Sequence, residues 1–97
     1  MPGWILESTE PPLTVRLPPG SIKTIGRTAR ADFIVDAALV SRLHCRLTTD
    51  ALDQLVVEDL GSTNGTLVNG KTVDRSELRT GDVLTVGRVS FVVQPAV

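Results

Sequence analysis

Three short polar clusters lie between apolar stretches of this chain: Gly26-Arg27, Ser41-Arg42-Leu43-His44 and Gly61-Ser62-Thr63-Asn64-Gly65-Thr66. Scaffold physics does not ask for these residue types in loops, so their presence there points to function. Together they offer a guanidinium fork, several hydroxyls, a carboxamide and backbone N–H groups loosened by glycine. This inventory is rich in donors and poor in fixed acceptors, which suits an anion. Between Gly26 and Arg46, Arg27, Arg30, Arg42 and Arg46 stand against Asp32 and Asp36, so this part of the chain is locally cationic although the net charge is −1. A phosphate carried on a protein fits such a site better than a carboxylate, because it presents three acceptor oxygens and about −1.5 to −2 charge.

The elements that hold these clusters are expected to be strands. Val (13), Ile (4) and Thr (11) make up 28 of the 97 residues, and no window holds an apolar stripe at helical spacing. Leu13, Val15 and Leu17 alternate on one face of a strand that follows a strand from Trp4 to Glu7. Further strands are expected at Ser21 to Arg27, at Phe33-Ile34-Val35 as a short buried one, at Leu43 to Thr48, at Gln54 to Asp59, at Val83 to Val86 and at Ser90 to Gln94. Leu67-Val68 and Thr72-Val73 flank Asn69-Gly70-Lys71, a hairpin signal, since Asn-Gly accepts the positive φ of a type I′ turn. Asp74 to Thr80 reads as a polar loop. Eight to eleven short strands with turns between them predict an all-β sandwich.

Composition narrows the function. At this length the chain is one domain, expected over residues 4–94 with loose ends at 1–3 and 95–97, and it reads as a monomer or as one module of a longer protein. Ten basic against eleven acidic side chains argue against non-specific nucleic-acid binding. No stretch approaches the ~20 apolar residues of a membrane span, and Met1 to Glu10 lacks the form of a signal peptide. The single cysteine, Cys45, cannot form an internal disulfide, and one Cys with one His cannot build a zinc site. No metal or cofactor is expected, and a reducing cytoplasmic setting is the default. Ser41 with His44, or His44 with Cys45, would be the only hints of a nucleophile. Cys45 falls on the Leu43/Leu47 face as a core residue, and no nucleophile elbow or P-loop is present, so catalysis is not expected.

Gly26-Arg27, the Ser-x-x-His of Ser41 to His44, Ser62-Thr63-Asn64-Gly65-Thr66 and Asn69-Gly70 follow one another in the order and approximate spacing of the forkhead-associated (FHA) domain family. Across residues 4–94 the chain resembles that family. The resemblance implies an eleven-stranded, mainly antiparallel β-sandwich that binds phosphothreonine peptides through loops at one end. It implies that Arg27 pairs with the phosphate, that Ser41 donates its hydroxyl to it, and that Arg42 adds a contact. Thr63 would reach the phosphate by hydroxyl or backbone N–H, and Asn64 would bond the peptide backbone. Gly26, His44 and Gly65 would support the loops, His44 as their organiser. The partner implied is a phosphothreonine-containing protein in Ser/Thr kinase signalling.

Bland readings stand beside these. Arg27 and Arg42 could be solvated loop arginines, Ser41 a turn serine, and Thr63 and Asn64 residues of side-chain-capped turns. A phosphate-independent interaction module is the alternative function. Leu39-Val40 makes the loop before Ser41 unusually apolar, and by the resemblance Leu39 would favour an aliphatic residue three places after the phosphothreonine. Thr9, between Ser8 and Glu10, is a candidate phosphosite that would fold back into the chain's own site.

Overall fold

A computed structural model describes residues 3–96. Among the described residues eleven strands form two sheets, with no helix. The six-stranded sheet has the order β2-β1-β11-β10-β7-β8, and the five-stranded sheet β4-β3-β5-β6-β9. In chain order the strands are β1 Trp4–Thr9, β2 Pro12–Leu17, β3 Ile22–Gly26, β4 Phe33–Ile34, β5 Cys45–Thr49 and β6 Leu55–Asp59. They continue as β7 Thr66–Val68, β8 Lys71–Val73, β9 Arg75–Leu78, β10 Val83–Val86 and β11 Val89–Pro95. Every strand pair is antiparallel except β3 with β4, which run parallel with Ile25 opposite Phe33.

Period-two patterning explains the layering. Leu6, Val15, Leu17, Leu84, Phe91 and Val93 of the larger sheet face Ile25, Leu47, Leu55, Val57 and Leu78 of the smaller, all buried in one core. Cys45 is part of it, as its face predicts. Two buried hydroxyls on inward positions are paired with backbone carbonyls: Ser8 donates to Pro11 and Thr49 to Pro18.

Some expectations need correction. Asp74 to Thr80 is not all loop: Arg75–Leu78 pairs with β6 as β9. It is an edge strand whose Arg75 and Glu77 are exposed while Leu78 is buried, so its composition hides the strand. Phe33-Ile34 is less buried than expected, with Ile34 half exposed, because β4 is an edge strand covered on one side by β3 alone. The stretch from Leu43 becomes regular strand only at Cys45. Asn69 and Gly70 both take positive φ, as the hairpin signal requires.

Gly3 is buried, its N–H donates to Asp53 and its carbonyl accepts from Ala96, and β11 continues through Pro95. The rest of the expected loose ends, Met1, Pro2 and Val97, lies outside the described residues. Thr9 closes β1 opposite Pro12, so folding it back into a site would first break strand pairing.

Register decides which loops meet. The β1–β2 turn and the β10–β11 turn share one end of the larger sheet, since Glu7 stands opposite Val92 and Val86 opposite Val89. Thr66 stands opposite Val86, which brings the β6–β7 loop to that same end.

Candidate functional site

Backbone bonds gather the three polar clusters. The Arg27 N–H donates to the Ser41 carbonyl at 2.9 Å, the His44 N–H to Ile25 at 2.8 Å, and the Leu60 N–H to His44 at 2.9 Å. Gly26 is required by close approach: a Cβ there would lie 2.1 Å from the Arg42 carbonyl oxygen. Gly65 instead answers a conformational need, with φ at +86°.

His44 braces the arrangement. It is fully buried, its Nδ1 accepts the Ser41 N–H at 3.0 Å, and its Nε2 lies 2.8 Å from the Gly65 carbonyl oxygen. Those partners assign the neutral ring with the proton on Nε2, which donates to Gly65. One side chain thus ties the β4–β5 loop to the β6–β7 loop.

A second brace escaped the sequence reading. The Asp59 carboxylate accepts the N–H groups of Gly61 and Ser62 and the hydroxyls of Ser62 and Thr66. Desolvation pushes its pKa up, but the bonds from Ser62, Thr66 and Gly61 prevail and hold it below the ordinary value. The local signal was present, because an Asp two residues ahead of Gly-Ser invites a side-chain-capped turn. It bends residues 61–65 so that Thr63 and Asn64 face the other loops.

Arg27, Ser41, Thr63 and Asn64 line one concave recess of about 460 Å³, together with Asp36 to Val40. The Arg27 Nε donates to the Val40 carbonyl at 2.9 Å, which aims the guanidinium, and among the described residues its two Nη groups make no bond. Ser41 Oγ accepts the Thr63 N–H at 3.0 Å and keeps its own hydrogen to give. The Thr63 N–H is therefore committed, and only its hydroxyl remains for a ligand. Asn64 donates one amide hydrogen to the Leu39 carbonyl at 3.2 Å and retains its carbonyl oxygen and a second hydrogen. Arg42 is exposed and outside the recess lining, and its carbonyl accepts the Thr28 hydroxyl at 3.3 Å.

Asp32 turns onto β3, where its carboxylate accepts the N–H and the hydroxyl of Thr24. Among the described residues Asp36 is then the one carboxylate on the recess wall, a placement with no sequence signal. Leu39 projects there with φ at +71° and 45 % of its surface exposed, a left-handed conformation uncommon for a bulky residue. Its carbonyl bond to Asn64 and the packing of Gly87 against residues 38–40 support it.

Cys45 takes no part. Burial, with a smaller contribution from Asp59, pushes its thiol up to about 12, so no thiolate is available near neutral pH.

An all-β sandwich with a donor-lined recess on its end loops defines the class of this protein. Residues 23–87 match the FHA domain family, and the chain belongs to it. The chain is 40 % identical over 80 residues to the ABC transporter ATP-binding/permease protein Rv1747 of Mycobacterium tuberculosis, which covers 82 % of this chain and 9 % of that protein. To the glycogen accumulation regulator GarA of the same species it is 35 % identical over 72 residues, 74 % of this chain and 44 % of GarA. The chain therefore spans less than half the length of either relative. A domain solved in a structural and functional analysis of phosphothreonine-dependent FHA domain interactions superposes with a TM-score of 0.85 at 33 % identity, covering 94 % of each chain.

Proposed function

We propose that this chain is a phosphothreonine-dependent recognition module, without catalysis of its own, acting on partners of a Ser/Thr kinase. One observation carries the reading: the Nη groups of Arg27 and the hydroxyl hydrogens of Ser41 and Thr63, unbonded among the described residues, border one open recess. Charge-assisted bonds from these groups replace the water shell of a phosphate. Arg42 reaches the same anion from the rim, and Asn64 holds the peptide backbone through its remaining amide groups. Membership of the FHA family and likeness to a domain studied for phosphothreonine-dependent interactions support this assignment. Threonine is preferred to serine where the γ-methyl is covered, a gain of about 0.8 kcal/mol by transfer alone. Leu39 offers an aliphatic contact to the residue three places after the phosphothreonine. A cytoplasmic location and a monomeric state, or a place within a longer protein, complete the proposal.

Titration calorimetry against pooled phosphothreonine, phosphoserine and unphosphorylated peptides tests it. Saturable binding of the phosphothreonine pool alone is expected. Arg27→Ala loses at least about 100-fold in affinity, because two charged bonds contribute roughly 1.5–3 kcal/mol each. Its own stability falls by only about 1 kcal/mol, through the bond to Val40. Binding to all pools equally, or to none, rejects the reading in favour of a phosphate-independent interface.

A further inference from the structure

From the carboxylate on the recess wall we infer that Asp36 is a specificity residue, selecting a phosphopeptide that carries a lysine or arginine on the side of the phosphothreonine running along residues 36–40. The inference rests on the phosphothreonine reading and extends it to the ligand's flanking sequence. An acidic side chain in a recess built from anion donors works against phosphate unless it meets a cation of the ligand. Asp36 is exposed and, among the described residues, forms neither a salt bridge nor a hydrogen bond through its carboxylate. The chain's other acid in this region, Asp32, is bonded to Thr24.

The backbone around Asp36 is held on both sides. The Val35 N–H donates to Gly26 at 2.7 Å and the Ala37 N–H to Val35 at 3.0 Å, so the carboxylate is presented from a defined position. Beyond it, Ala37, Ala38 and Leu39 line the same wall with small and aliphatic groups. That wall suits the methylene stem of a lysine or arginine whose charged head reaches the carboxylate. Arg27 and Asp36 thus make the recess bipolar, cationic for the phosphate and anionic for a basic neighbour.

Peptides with one phosphothreonine, alanine-flanked and carrying lysine, glutamate or alanine at each position from four before to four after it, are titrated against wild type, Asp36→Asn and Asp36→Lys. Thermal melts confirm that each variant is folded. One position is expected to prefer lysine over alanine by about two- to fivefold, the range of exposed ion pairs, with the preference shrinking as salt rises. The ratio falls to one in Asp36→Asn and inverts toward glutamate in Asp36→Lys. A lysine preference that persists unchanged in Asp36→Asn overturns the assignment of Asp36. Phosphothreonine binding with no lysine preference anywhere overturns the inference and leaves the reader function standing. Failure of every phosphopeptide to bind removes that function, and the inference with it.

Discussion

His44→Ala should damage the fold before it damages recognition. The imidazole is wholly buried and joins the Ser41 N–H to the Gly65 carbonyl. Truncation removes a ring comparable in size to the side chains whose loss costs about 2–5 kcal/mol in cores. It also strands a donor and an acceptor, each worth about 1 kcal/mol or more where water is excluded. Allowing for partial collapse and some water entry, the expected loss is about 3–5 kcal/mol, a large share of the 5–15 kcal/mol typical of a domain. For a chain of this size that lowers the melting temperature by roughly 12 °C or more. His44→Leu separates the contributions, since it fills the space but restores neither bond, and should lose about 2 kcal/mol. Urea unfolding provides the stabilities, and calorimetry well below the melting temperature provides the affinities. Phosphopeptide affinity should fall less than in Arg27→Ala, because His44 reaches a ligand only through Ser41 and Gly65. If both variants stay within 1 kcal/mol of wild type, the ring is not the brace described. If His44→Ala keeps its stability but abolishes binding, His44 touches the ligand.

Asp59 gives a pH signature. Its folded-state pKa is depressed, so the stability it contributes is fully present above the ordinary Asp value and is lost as pH falls through the lower folded one. Asp59→Asn, which cannot accept all four donors, should be less stable than wild type at pH 7, and the gap should close below about pH 4. Parallel urea stabilities from pH 7 to pH 3 would exclude this role. Cys45, whose thiol is pushed up to about 12 within the core, should resist thiol reagents at pH 8 and react in urea in step with unfolding. Rapid labelling of the folded protein would mean that the β5 face is open.

The sequence carried a good deal of this protein. Period-two alternation in β2 and β5 marked the inward faces, and Asn69-Gly70 marked its turn, because strand pleating and positive φ are local constraints that local residue types must answer. The candidate donors were legible for the same reason: Arg27, Ser41, Thr63 and Asn64 sit in loops, where packing does not account for them. β9 was hidden, since an edge strand with exposed Arg75 and Glu77 looks like a polar loop until β6 lies beside it. Tertiary structure alone decided which loops share an end of the sandwich, since that follows from strand register between residues far apart in the chain. It also sorted the two acids of the cationic stretch, tying Asp32 to β3 and leaving Asp36 on the recess wall. It committed the Thr63 N–H to Ser41, which leaves only a hydroxyl for a ligand. Hydrogen-bond partners and the direction a side chain faces depend on segments brought together only by folding, which is why the same residue types could not reveal them from spacing alone.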